Sequence, residues 1–249
     1  MKTLLFASTL ALALPFASAV FAADSGKAAD GEKRVLIVVT SADKLPDGRG
    51  TGVWLDEFTT PYDMLKEAGL AVTVASIRGG AVPLDPGSVK GQAQLDEFAE
   101  DIRALNASLP VADVKAGDFD AVFLPGGHGT MMDFPDNAVL QGLLADFAEQ
   151  GKVIAAVCHG PAGFAGVKRR DGSFLVAGKT MTAFTDEEEK AVGATVPFML
   201  ESRLRSEGAN FVARDKWSDH VETDGNLITG QNPASSASVA RAIIERLAR

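Results

Sequence analysis

Cysteine occurs once in the 249 residues, at Cys158, and histidine three times, at His128, His159 and His220. A single thiol excludes an internal disulfide, so the fold has to be held by its core. Three dispersed histidines and one cysteine also lack the ligand spacing of a zinc site, and neither a metal nor any other cofactor is expected. Positive charge is scarce: 24 Lys plus Arg stand against 33 Asp plus Glu, a formal net charge of −9. A surface of that sign repels phosphate backbones and anionic lipid, so nucleic acid is not an expected partner. Beyond the first two dozen residues no apolar run approaches the roughly 20 residues of a membrane span. There is no internal repeat, heptad series or low-complexity tract, and neither a phosphate loop nor a dinucleotide fingerprint.

What is present begins with an export signal. Met1-Lys2 precedes an apolar stretch from Leu4 to Phe16 and then the small residues Ala17-Ser18-Ala19 and Val20-Phe21-Ala22-Ala23. This pattern predicts a secretory signal peptide over residues 1–23, cleaved between Ala19 and Asp24, and a periplasmic or secreted protein with no membrane attachment after cleavage. An uncleaved anchor is the alternative, weakened by the short apolar run and by Pro15 inside it. Residues 24–33 are polar and rich in Gly and Ala, a flexible leader. Residues 34–249 are expected to form one domain, and a composition of 46% hydrophobic and 23% charged residues suits a full core.

Arg34 to Thr40 is a continuous β-branched run of the kind buried on both faces of a parallel sheet. Ala71–Ala75, Ala121–Leu124 and Val153–Val157 repeat the pattern, separated by stretches with helical spacing. Trp54, Phe58, Tyr62 and Leu65 form one helix stripe, and Leu140, Leu143, Leu144 and Phe147 another. Alternating strands and helices predict an α/β fold with a doubly wound sheet. Shorter elements over Lys179–Ala183, Pro197–Glu207 and around Phe211 and Leu227 are read as the closing edge of the same sheet, followed by a last helix over Ser235–Leu247.

The chemistry centres on Ala156-Val157-Cys158-His159-Gly160, where a buried strand ends and a helix is expected to start. Small residues two before and two after the cysteine permit the sharp turn of a nucleophile elbow. A thiol at a helix N-terminus is expected to ionise readily. Pro125-Gly126-Gly127-His128-Gly129 follows another strand, and carboxyl ends of parallel strands share one edge. The amides of Gly126 and Gly127, with that of His159, are therefore expected to hold an oxyanion; His128 is expected either to line the substrate pocket or to be a turn residue hydrogen-bonded to solvent. At helical spacing Glu57 flanks the apolar stripe, whereas Asp56, Asp63 and Glu67 face away. In Phe184-Thr185-Asp186-Glu187-Glu188-Glu189, Thr185 and Glu188 have the spacing of a capping box, which leaves Glu189 free for another task.

These motifs, together with Thr51-Gly52-Val53-Trp54-Leu55-Asp56-Glu57 and Asp224-Gly225-Asn226-Leu227-Ile228-Thr229-Gly230-Gln231-Asn232-Pro233, resemble the ThiJ/PfpI superfamily, which is glutamine amidotransferase-like. The closer likeness is to its glyoxalase III and heat-inducible chaperone branch, over about residues 33 to 249. The resemblance implies a flavodoxin-like, mostly parallel sheet sandwiched by helices in a single domain, a homodimer, and a Cys-His-acid triad with an additional glutamate at the sulfur. Carried onto this chain, the catalytic residues are Cys158, His159 and Glu189, with Glu57 as the additional carboxyl and Glu188 as the alternative triad acid. The implied activity is glutathione-independent conversion of methylglyoxal or glyoxal to a 2-hydroxy acid, without a cofactor. Two rival expectations remain at this point: a holding chaperone for unfolded exported proteins, and a cysteine amidase or peptidase using the same triad.

Overall fold

The computed structural model describes residues 32–249, so the expected signal peptide and the leader up to residue 31 lie outside the described residues. Five runs assemble most of the central sheet: β1 (Arg34–Val39), β2 (Ala71–Ser76), β3 (Leu109–Pro110), β4 (Ala121–Leu124) and β5 (Val153–Val157). β1, β4 and β5 are buried almost throughout, which is what their unbroken apolar character requires. Near the C-terminus, β8 (Val221–Asp224) and β9 (Leu227–Gly230) form a hairpin. The seven strands run in the order β3-β2-β1-β4-β5-β9-β8. Every pairing is parallel except that of β8 with β9.

One expectation fails. β6 (Thr180–Met181) and β7 (Asn210–Phe211) do not close the main sheet but pair with each other as a separate two-stranded sheet. Both are only two residues long, and the edge beyond β5 is already taken by β9. The segment between β2 and β4, read from the sequence only as a stretch with helical spacing, holds α2 (Gln92–Glu97) and α3 (Ala99–Asn106).

Helices cover both faces of the sheet. On one face α1 (Leu55–Glu67) and α8 (Ser236–Leu247) pack on Val35, Ile37, Phe123 and Ile228 through Phe58, Leu65, Val239 and Ile243. On the other, α4 (Thr130–Asp133), α5 (Ala138–Glu149) and α7 (Leu200–Ser206) bury Met131, the predicted stripe Leu140, Leu143, Leu144 and Phe147, and Leu204. Each such side chain contributes about 1.5–3 kcal/mol on removal from water. The short helix α6 (Asp186–Val192) stands apart from these layers, and its N-terminus is closed by the expected Thr185–Glu188 capping box. This arrangement brings the ends of β1, β4 and β5 to one edge of the sheet, where open α/β sheets place their ligands.

Candidate active site

Cys158 sits immediately beyond β5 with φ +58°, in the left-handed region that a side chain adopts only under strain. Its backbone is held on both sides: its N–H donates to Gly230 O at 3.0 Å and its carbonyl accepts from Phe184 N–H at 2.8 Å. The turn leaves no room for larger neighbours. A Cβ on Gly160 would stand 2.0 Å from Leu124 O, and one on Gly126 would stand 2.6 Å from His159 N. Thr130 ties the glycine loop to the elbow, its single hydroxyl proton shared between Gly127 O and His159 O, each 2.9 Å from the hydroxyl oxygen.

From this turn the four sequence-predicted catalytic residues converge. His159 Nδ1 lies 3.3 Å from Cys158 Sγ, and His159 Nε2 lies 2.7 Å from Glu189 Oε2. Glu57 reaches in from α1, fully buried. Its Oε2 accepts from Gly126 N–H at 2.8 Å, while Oε1 meets no N–H or O–H donor among the described residues and the carboxyl abuts the sulfur. Glu189, in the first turns of α6, is the acid that faces the imidazole.

Glu188 is occupied elsewhere. Its Oε2 takes the N–H and hydroxyl of Thr185, both at 3.0 Å. Its Oε1 takes Trp217 N–H at 2.8 Å, Asn232 Nδ2 at 2.8 Å and Gln231 Nε2 at 3.1 Å. Five donors saturate this buried carboxyl, and they explain the Gln231-Asn232 part of the C-terminal motif. It anchors α6 and thereby the register of Glu189.

The electrostatics follow from burial. Removal from water pushes Glu57 up to about 8, against the hydrogen bonds it receives from Cys158 and Gly126. Burial, with the Glu57 charge beside it, pushes the Cys158 thiol well above its ordinary value, and the amides of Gly127 and His159 only partly oppose this. Burial and the neighbouring His128 bring His159 down to about 4, a neutral imidazole at physiological pH. Glu189 is also penalised by burial, yet the hydrogen bonds of His128 and His159 outweigh it and hold the carboxylate at about 2.

Several sequence expectations change here. The elbow runs into a five-residue 3-10 turn, Gly160–Phe164, rather than an α-helix, and desolvation exceeds whatever its amides supply. The resting sulfur is a thiol. Gly126 is not a free oxyanion donor, because Glu57 uses its N–H, which leaves the amides of Gly127 and His159 for that role. His128 does not simply line the pocket: its Nε2 lies 3.0 Å from Glu189 Oε1, and its ring is centred 4.0 Å from that of His159. Glu189 thus carries two imidazoles. The dispersion of the histidines in sequence also misleads, since potential ligand atoms of His128, His159 and Glu189 all lie within 4.8 Å of one another.

Two aromatic residues escaped the sequence reading. Phe184 packs against His159 with centroids 4.3 Å apart and the rings tilted by 33°, and the ring of Trp217, a residue at φ +68° and 49% exposed, is centred 5.7 Å from that of Phe184. Phe184 stands beside the acidic motif and could have been noticed there. Trp217 has no motif around it.

The sequence profile described as the DJ-1/PfpI family matches residues 50–246. The chain is 33% identical over 232 residues to the glutathione-independent glyoxalase HSP31 of Saccharomyces cerevisiae, covering 86% of this chain and 98% of that protein. It is 31% identical over 230 residues to glyoxalase 3 of Candida albicans, covering 85% and 97% respectively. The crystal structure of glyoxalase III from Candida albicans superimposes with a TM-score of 0.78 at 30% identity, covering 86% of this chain and 96% of that one. The Rapid Encystment Protein 24 KDa of Francisella tularensis superimposes with a TM-score of 0.82 at 36% identity, covering 86% and 99%. With a buried cysteine elbow, a Cys-His-Glu relay and full-length likeness of this kind, the chain belongs to the DJ-1/PfpI family.

Proposed function

We propose that this protein is a cysteine-dependent, glutathione-independent glyoxalase that converts methylglyoxal or glyoxal to the corresponding 2-hydroxy acid. The observation that carries the reading is Glu57, a protonated carboxyl buried against the sulfur of a Cys-His-Glu triad. A triad alone suits acyl transfer. Moving hydrogen between adjacent carbons needs a further acid-base group at the same carbon. The relatives named as glyoxalases support the same choice.

Neutral His159 takes the thiol proton as Cys158 adds to the aldehyde carbon, and Glu57 gives its own proton to the aldehyde oxygen. The resulting carboxylate removes the hydrogen from that carbon while the imidazolium protonates the ketone oxygen, which forms an enediol. Glu57 then delivers its proton to the second carbon and His159 accepts one from the first hydroxyl, leaving a thioester. Water releases the acid: Glu57 recovers a proton from water and the imidazolium returns one to sulfur. Protons balance over the cycle, and no outside oxidant or reductant is consumed.

Cys158 and His159 are at most 3% exposed and Glu57 is fully enclosed, which favours a two- or three-carbon substrate over a peptide chain. The holding-chaperone alternative gains little from the surface, where the exposed large apolar side chains of the described residues, Leu109, Val139, Val192 and Trp217, sit on separate elements. The test is a methylglyoxal assay without glutathione, reading lactate. Wild type forms it and Cys158→Ala does not; equal turnover by the two would sink the proposal. The homodimer and the exported location belong to the same proposal. Light scattering and N-terminal sequencing of the exported protein check them.

A further inference from the structure

At the opposite edge of the sheet from Cys158, the ends where β5 and β9 begin enclose a cavity of about 520 Å³. Ile154 lines it, so about 13 Å of strand separates it from the catalytic turn. Its floor is apolar, formed by Ala148, Ile154, Leu175 and Leu227. Around that floor stand Lys152, Arg169, Lys179 and Arg246, each half-buried, against the carboxylates of Glu149 and Asp224. Such an excess of cations is unexpected in a chain of net charge −9.

How these cations are held is more telling than their number. Lys179 pairs with Asp224 at 2.9 Å. The other three have no carboxylate within ion-pair distance among the described residues and rest on neutral oxygens. Lys152 Nζ donates to Ala116 O at 2.6 Å, an Arg169 guanidinium nitrogen to Leu175 O at 2.6 Å, and Arg246 Nε to Asn226 Oδ1 at 3.0 Å. Each keeps further N–H donors after that bond. Glu149 is turned toward Arg170, whose amide and guanidinium it meets at 3.1 and 3.8 Å. Asp171 and Asp224 lie within Coulombic range of Arg169, and Asp120 within that of Lys152, but none of them forms a direct ion pair with these cations; partly desolvated cations left without a direct partner attract an oxyanion more strongly than exposed ones do.

We infer that this cavity is a second ligand site, which binds a small organic anion with a phosphate or carboxylate head on Lys152, Arg169 and Arg246 and an apolar body on Ile154, Leu175 and Leu227. Its size is within the range of small-molecule sites. The Asp224-Gly225-Asn226 portion of the C-terminal motif, which contributes nothing to the catalytic centre, forms its rim. The same cations also complement the carbonyl ends of α5 and α8. A purely structural role of that kind predicts lost stability on neutralisation and no saturable binding of anions.

Calorimetric titration of the full chain at low ionic strength, with inorganic phosphate and separately with phenyl phosphate, separates the two. The expected result is one site per chain for both probes, tighter for phenyl phosphate, with slowed amide exchange near residues 149–152 and 224–227. Arg169→Gln and Lys152→Gln each weaken binding about tenfold or more, while Arg103→Gln, an exposed arginine on α3 paired with Glu100 outside the cavity, and Cys158→Ala leave it unchanged. No saturable binding of either probe by wild type in the millimolar range would overturn the inference, and so would affinity unaltered by Arg169→Gln in a variant whose circular dichroism is native. Phenyl phosphate binding no better than phosphate would overturn the assignment of an organic ligand.

Discussion

Replacing Glu57 by Gln tests whether a neutral acid is stored at the sulfur. Glutamine has the shape of the protonated carboxyl, its carbonyl can keep the 2.8 Å bond from Gly126 N–H, and it does not ionise. In the unfolded chain the residue titrates near the ordinary 4.5; in the fold, near 8. Between those values the unfolded chain has released the proton and the folded chain has not. Each unit of rising pH then removes about 1.4 kcal/mol of wild-type stability through this residue alone. The burden amounts to about 1 kcal/mol at pH 5 and about 3 kcal/mol at pH 7. The Gln variant should therefore gain on wild type by about 2–3 kcal/mol across that interval, although its lactate formation falls by about 10²–10⁴-fold. Urea unfolding of both proteins at pH 5, 6 and 7 measures the difference directly. A difference that stays flat with pH would refute the reasoning, because it would mean that Glu57 is ionised or solvated in the fold.

The activity should be bell-shaped in pH. Protonation of His159 removes the base below about 4, and ionisation of Glu57 removes the acid above about 8, so kcat/KM with methylglyoxal should fall on both sides of that window; an alkaline limb that persists unshifted in any residual activity of Glu57→Gln would exclude this carboxyl as its source. Glu189→Gln takes the carboxylate from two imidazoles and should lower kcat by about 10²–10⁴-fold, the range for losing a positioned acid-base partner, with KM little changed in steady-state kinetics. Asn232→Ala deletes a 2.8 Å donor to buried Glu188 and should cost about 1–3 kcal/mol in denaturant unfolding. It should also reduce kcat, because α6 carries Glu189; unchanged stability would show that Glu188 does not depend on this bond.

The sheet was legible because its central strands are buried on both faces and announce themselves as unbroken apolar runs: Ala121–Leu124 and Val153–Val157 match β4 and β5 at both ends. β6 and β7 were misplaced because two-residue strands carry no periodicity, and only their partners determine which sheet they join. Within the site, Cys158, Gly126 and Gly160 could be read from steric need, since a tight turn admits only certain residues. Glu57 could be placed from its flank of the helix stripe. Protonation states could be read only in part: a carboxyl flanking an apolar stripe is at least half-buried and has a raised pKa, as Glu57 does, but the expectation of a readily ionised Cys158 missed how much water the fold excludes. The second imidazole on Glu189 was equally hidden: 61 residues separate the pair and no local pattern links them.

The shift of Cys158 upward changes what kind of nucleophile this elbow presents. A thiolate stabilised by a helix N-terminus is charged before substrate arrives, so it reacts with any electrophile that can reach it. Here the charge is withheld by burial, and both proton movements needed for addition to an aldehyde are already provided for at neutral pH: His159 is empty and Glu57 is loaded. Addition transfers negative charge from sulfur to the carbonyl oxygen and discharges it onto Glu57 in the same event, so no isolated anion forms in the closed site. An alkylating agent offers no oxygen to receive that proton. The same desolvation that slows a bare thiol toward such reagents therefore favours a substrate with a carbonyl at the sulfur and a second one beside it.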